Sequence, residues 1–88
     1  MEYIPEAGDI VISKAGHDTG RAHVVLAYTG GGFALIADGK RRLVASPKSK
    51  NVKHLRKVGI SALKESIESG GVTDKQIRQA VKEINGGC

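Results

Sequence analysis

The side chains in this chain best suited to do chemistry are its 14 lysines and arginines, and they are unevenly spread. Lys40, Arg41, Arg42, Lys48, Lys50, Lys53, Arg56 and Lys57 fall within residues 40–57, a stretch that holds no acid and carries +8. Residues 1–39 carry −3 and residues 58–88 balance, so the net charge of +5 comes from that one segment. Each cation that neutralises a phosphate releases condensed counterions, and arginine adds bidentate contacts and stacking. The competing reading is a solvated edge that keeps strands from pairing between molecules. Eight cations without an acid favour a polyanion partner.

Other reactive side chains are scattered. His17 and His23 lie six residues apart on different expected elements, and His54 is remote from both. No paired carboxylates, Cys–His arrangement or metal-ligand spacing stands out, so the chain is not expected to be an enzyme, to hold a cofactor or metal, or to take a small-molecule substrate. Asp9 and Asp18 suit strand entry and turns. His54, within Lys53-His54-Leu55, reads equally as a phosphate contact or a local cap. The single cysteine, Cys88, can form no internal disulfide and leaves a thiol for intermolecular chemistry. Tyr3, Tyr28 and Phe33 are the only rings, too few for a base-stacking surface. Phe33 is expected in the core. A nucleic acid would therefore be recognised through its backbone and shape.

The elements that must hold these residues begin with Ile10-Val11-Ile12, a strand expected over Ile10 to Lys14. Its apolar residues do not alternate, so the core side is ambiguous. Residues 15–20 are turn chemistry: Gly16 and Gly20 can take positive φ, let a ribose-phosphate chain approach closely and offer N–H donors. A second strand is expected over Ala22 to Thr29. Gly30-Gly31-Gly32 reads as a flexible connection, not a phosphate loop, because Phe33 to Ala37 follows as a third strand. Asp38-Gly39 signals a two-residue hairpin returning through Lys40 to Ala45, with Pro47 ending that strand. Val52 to Val58 supplies a fifth.

The last third changes period. Ser61 is the expected N-cap and Gly70 the stop of one short helix carrying Leu63 and Ile67. Thr73-Asp74-Lys75-Gln76 is a capping box opening a second, with Ile77, Ala80, Val81 and Ile84 as its apolar stripe and Gly86-Gly87 as its end. These helices are expected to cover an open face of the sheet, with docking of a protein partner as the alternative. Five short strands with tight turns suggest a small barrel, so the fold class is mainly β with a C-terminal pair of short α-helices. The organisation is a lead-in over 1–7, a barrel over 8–59 and the helical pair over 60–88.

Gly8-Asp9 before the first strand, with Gly16 and Gly20 bounding its loop, resembles the KOW motif of ribosomal and transcription-factor proteins. Val11, Ser13-Lys14-Ala15-Gly16, Asp18, Val24-Val25, Asp38-Gly39-Lys40, Pro47-Lys48 and Asn51-Val52-Lys53-His54-Leu55 then follow in order. That succession is similar to the large-subunit ribosomal protein family L-fourteen-e, and closest to its bacterial relatives, the KOW-domain RNA-binding proteins. The resemblance covers residues 8–57 and fits the tail more loosely. It implies an SH3-like barrel whose loops and basic edge lie against ribosomal RNA or the large ribosomal subunit. With the basic segment, the expected RNA-binding set is Lys14, Gly16, His17, Gly20, Arg21, Lys40, Arg41, Arg42, Lys48, Lys50, Lys53, His54, Arg56 and Lys57. The alternative function is an SH3-like protein-interaction module contacting ribosomal, transcription or translation machinery.

At 88 residues and 9.3 kDa the chain has room for one domain with a modest core. It holds no apolar run of the roughly 18 residues a bilayer span needs. The acidic N-terminus, with no apolar segment after it, argues against a secretory signal, and a cytoplasmic location is expected.

Overall fold

A computed structural model describes residues 3–16, 19–82 and 84. Five antiparallel strands, β1 (Asp9–Ser13), β2 (Ala22–Gly30), β3 (Phe33–Ala37), β4 (Lys48–Asn51) and β5 (Leu55–Ile60), form one sheet in the order β4-β3-β2-β1-β5. Two short helices follow, α1 (Lys64–Ser69) and α2 (Asp74–Val81). The mainly β class with a C-terminal helical pair is thus the observed one. The sheet rolls without closing, since β4 and β5 remain its two edges.

The unalternated run in β1 has a simple cause: both sides of the sheet are core. Ile10 packs with Ala22, Val24 and Ala37 beneath Val72, Ile77 and Val81 of the helical tail. Val11, one residue on, packs with Val25, Ala34, Ile36 and Leu55 on the opposite face. Ile36 of β3 and Leu55 of β5 meet there although two strands separate them in the sheet, so that cluster is the inside of the roll. Successive strand residues point to opposite faces, and a strand buried on both sides has no polar positions to alternate with. The nine-residue β2 carries register shifts between Val25 and Ala27 and between Tyr28 and Gly30. Such bulges bend a strand and let one strand serve both halves of a roll.

Several expected boundaries move. The primed two-residue hairpin is Gly31-Gly32, with φ of 62° and 85°, joining β2 to β3 through the Gly30–Phe33 pair. It is not Asp38-Gly39. No strand spans Lys40 to Ala45, and the fourth strand is Lys48–Asn51, which Pro47 precedes. The cause is Asp38, whose Oδ1 accepts the backbone N–H groups of Lys40, Arg41 and Arg42, each at 2.9 Å. A carboxylate offering bonds to its own following backbone competes directly with a ladder.

Val52–His54 is a 3-10 turn, not the start of β5, because the Asn51 side chain accepts from the Lys53 N–H and caps it. Ser61 does not cap α1, whose N-cap is Leu63; the Ser61 hydroxyl donates to the Gly8 carbonyl at 2.7 Å and so ties the helical tail to the entry of β1. Gly70 stops α1 in the left-handed region, and the Thr73–Gln76 capping box opens α2. Phe33 lies outside the core at 43% exposure: it shares its sheet face with the buried Ala37 but stands at the turn end of β3, outside both clusters. The lead-in is held from Tyr3 onward: its hydroxyl donates to Asp9 at 2.5 Å. Burial, followed by that bond and the Asp9 and Glu6 charges, pushes the phenol well above its ordinary value. The expected end of α2 at Gly86-Gly87, and the Cys88 thiol, fall outside the described residues.

Candidate nucleic-acid interface

The basic residues do not form one group. The first collects where the β1–β2 loop meets the 3-10 turn. The Lys14 N–H donates to the His54 carbonyl at 2.7 Å, and the Val52 N–H donates to Gly32 at 2.8 Å. Lys14, Lys53, His54 and Arg56 are all exposed around this junction.

Lys50 belongs there by position but not by exposure. Its Nζ donates to the Ala15 carbonyl at 2.8 Å, and only 9% of the residue is exposed. It therefore acts as a strut that holds the loop onto β4. Gly16 and Gly20 take φ of 81° and 83°, as the turn requires, but the Gly20 N–H is already committed to the Ser13 carbonyl at 2.8 Å. His17 falls outside the described residues. Arg21 and Lys48 are half-buried. Lys57 pairs with Asp9 at 3.4 Å, although 39% of its side chain remains in solvent. An ion pair this open contributes little to stability.

The second group is the β3–β4 connection. The three N–H bonds to Asp38 wrap residues 38–42 into a tight loop, and the N–H groups of Asp38 and Gly39 both return to the Arg42 carbonyl. Lys40 and Arg41 project from it exposed, while Arg42 is half-buried. Among the described residues, Lys14, Lys40, Arg41, Lys48, Lys53 and Arg56 carry no ion pair.

Beneath the loop lies His23, fully buried, with Nε2 4.0 Å from Asp38 Oδ2 and Nδ1 3.2 Å from the Arg21 carbonyl. A carbonyl can only accept, so Nδ1 carries a proton. Burial alone would raise the Asp38 carboxyl. The N–H groups of Arg42 and Lys40, the neighbouring His23 and the Arg41 N–H outweigh it and hold the carboxyl below its ordinary value. Asp38 therefore stays charged and keeps the loop in shape.

No family model and no curated protein matches this chain. The site has to be read from its own chemistry.

Two features escaped the sequence reading. Asp38 organises the loop, and its signal was available: an Asp just before three residues whose N–H groups it can reach. The second is the tie between that loop and α2: Arg78 Nη1 donates to the Gly39 carbonyl at 2.8 Å while Asp74 accepts the Val44 N–H at 2.8 Å. Only the fold brings residues that far apart together. Tyr28 and Phe33 make no joint platform. Tyr28 pairs with Ala34, the immediate neighbour of Phe33, so the two rings leave the sheet on opposite faces. Among the described residues no group of three or more His, Cys, Asp or Glu could hold a metal ion, and no helix is long and apolar enough to cross a membrane.

Proposed function

We propose that this protein is a cytoplasmic KOW-type RNA-binding protein that grips the phosphate backbone of folded ribosomal RNA. The observation that carries the reading is the braced 38–42 loop, which holds the unpaired Lys40 and Arg41 in solvent on a frame of internal hydrogen bonds. The second exposed group, Lys14, Lys53, His54 and Arg56, and the sequence resemblance of residues 8–57 support it. Pre-organised cations gain affinity because little ordering remains to be done on binding. Rings that diverge favour backbone and shape recognition over stacking on single-stranded bases.

The test is co-sedimentation with large ribosomal subunits at low and high salt, for wild type and for Arg41→Glu/Lys53→Glu. Binding that weakens with salt and is lost in the double variant is the expected result. Wild type that ignores ribosomes and ribosomal RNA at low salt would overturn the reading.

One observation favours a second reading, a protein contact. Ile60 is 72% exposed on the open edge of β5, at a groove of mixed character that Ile10, Leu63 and Ala80 line together with Ser61, Gln76 and Gln79. An apolar contact there would be nearly indifferent to salt, whereas phosphate contacts lose affinity steeply.

A further inference from the structure

The helical tail has a use beyond covering the sheet. Lys75 and Arg78 of α2 and Lys82, its C-cap with helical φ of −53° and ψ of −48°, follow at i, i+3 and i+7. At 100° per residue they share an arc of about 60°, opposite the stripe of Ile77, Ala80 and Val81 that packs on the sheet. All three are exposed, and they form a straight row about 10 Å long at 1.5 Å per residue.

The 38–44 loop is pinned to the flank of this row. Arg78 holds the Gly39 carbonyl and Asp74 holds the Val44 N–H, so the four residues between those anchors cannot leave the helix surface. At Gly39 the approach is so close that a Cβ would fall 2.5 Å from the Asp74 carbonyl oxygen and 2.7 Å from Arg78 Cγ. Lys40 and Arg41 therefore emerge beside the Asp74–Arg78 turn, which carries Lys75 and Arg78. No aromatic ring lies among these four cations and Lys82. A row of cations on a rigid helix, with nothing to stack on, suits a regular phosphate track and not splayed bases.

We propose that α2 and the 38–44 loop form one composite ridge that binds the phosphate backbone of base-paired RNA, with Lys75 and Lys82 as contacts. The inference rests on the RNA-binding reading above and extends its 38–42 loop onto α2, separate from the group at the β1–β2 loop.

The test is fluorescence anisotropy with an RNA hairpin stem and with a single strand of the same composition, across a salt series. The proteins are wild type, Lys75→Gln/Lys82→Gln and Lys14→Gln/Lys53→Gln, with folding checked by circular dichroism. Each duplex phosphate contact contributes about 0.9 to the slope of log K against log salt, so Lys75→Gln/Lys82→Gln should make the stem slope shallower by about 1.8. An unchanged slope in that variant, beside a shallower one in Lys14→Gln/Lys53→Gln, overturns the ridge and leaves the RNA reading standing. Equal affinity of wild type for stem and single strand overturns the base-paired partner. Binding of neither RNA by wild type removes both the ridge and the reading beneath it.

Discussion

Residues 38–44 and residues 48–57 are both lysine- and arginine-rich, yet they handle charge in opposite ways. In the first, one buried acid faces backbone N–H groups and the buried His23 rather than a lysine or arginine side chain, so Lys40 and Arg41 reach solvent unpaired. In the second, part of the charge is turned inward: Lys50 is spent on the Ala15 carbonyl and Lys57 pairs with Asp9. The contrast teaches that charge counted along a chain is not charge displayed. What decides is whether the local backbone or a neighbouring carbonyl has already claimed the cation.

The largest way to break this contrast is to remove the acid. Asp38→Ala deletes three charge-assisted bonds, a loss of about 4.5 kcal/mol with each taken at the low end of its range. That is a large share of a small domain's stability. Asp38→Asn keeps one acceptor and should cost less, about 2 kcal/mol, leaving a folded protein to measure by urea unfolding. The pH dependence follows from the lowered carboxyl. A depressed folded value contributes stability that is fully present above the ordinary carboxylate range and is lost as pH falls through the folded value. The gap between wild type and Asp38→Asn should therefore be widest near neutral pH and close only as pH falls through the folded value, below the ordinary carboxylate range. A gap that stays constant would mean that Asp38 does not act as a charged acceptor.

Next in size is the contact that holds the displayed charge against α2. Gly39 has a φ of 80°, and an added Cβ would also fall 3.1 Å from the Arg78 backbone nitrogen. Backbone cannot yield as a flexible side chain would. Gly39→Ala should cost about 3 kcal/mol from left-handed strain and overpacking together. If it shifts the thermal midpoint no more than an exposed substitution does, the loop is not packed on the helix as described.

Legibility in the sequence followed the range of the interaction that decides each feature. The Thr73–Gln76 capping box, the Gly70 stop and the span of β3 depend on residues a few positions apart, and all were readable. The hairpin at Asp38-Gly39 was misread because that dipeptide serves two local programmes, a primed turn and a side-chain-capped loop, and the three following N–H groups chose the second. Phe33 was misplaced because ring size suggests burial, whereas its place at the turn end of β3 leaves it outside both clusters. Of the expected RNA-binding set, Lys40, Arg41, Lys14, Lys53 and Arg56 are displayed, while Lys50 is buried by a carbonyl 35 positions away. No window on the sequence could show that bond.

The smallest expected effect sharpens the comparison most, because it separates the two fates of a cation in one pair of variants. Lys50→Met keeps a stem of similar length in the buried site but removes the bond to Ala15, at a cost of about 1.5 kcal/mol. Since that ammonium is already engaged, the slope of RNA affinity against salt should not change. Arg41→Gln should do the reverse: stability within about 0.5 kcal/mol of wild type, as for other exposed substitutions, and a slope shallower by about 0.9. Urea unfolding and a salt titration on the same two proteins measure both. If Lys50→Met also flattens the salt response, the strut moves a contact in the β1–β2 loop and the two basic regions are coupled. If Arg41→Gln leaves the response untouched, exposure in the 38–44 loop is not sufficient for phosphate contact, and the displayed charge has to be sought around Lys14 and Lys53.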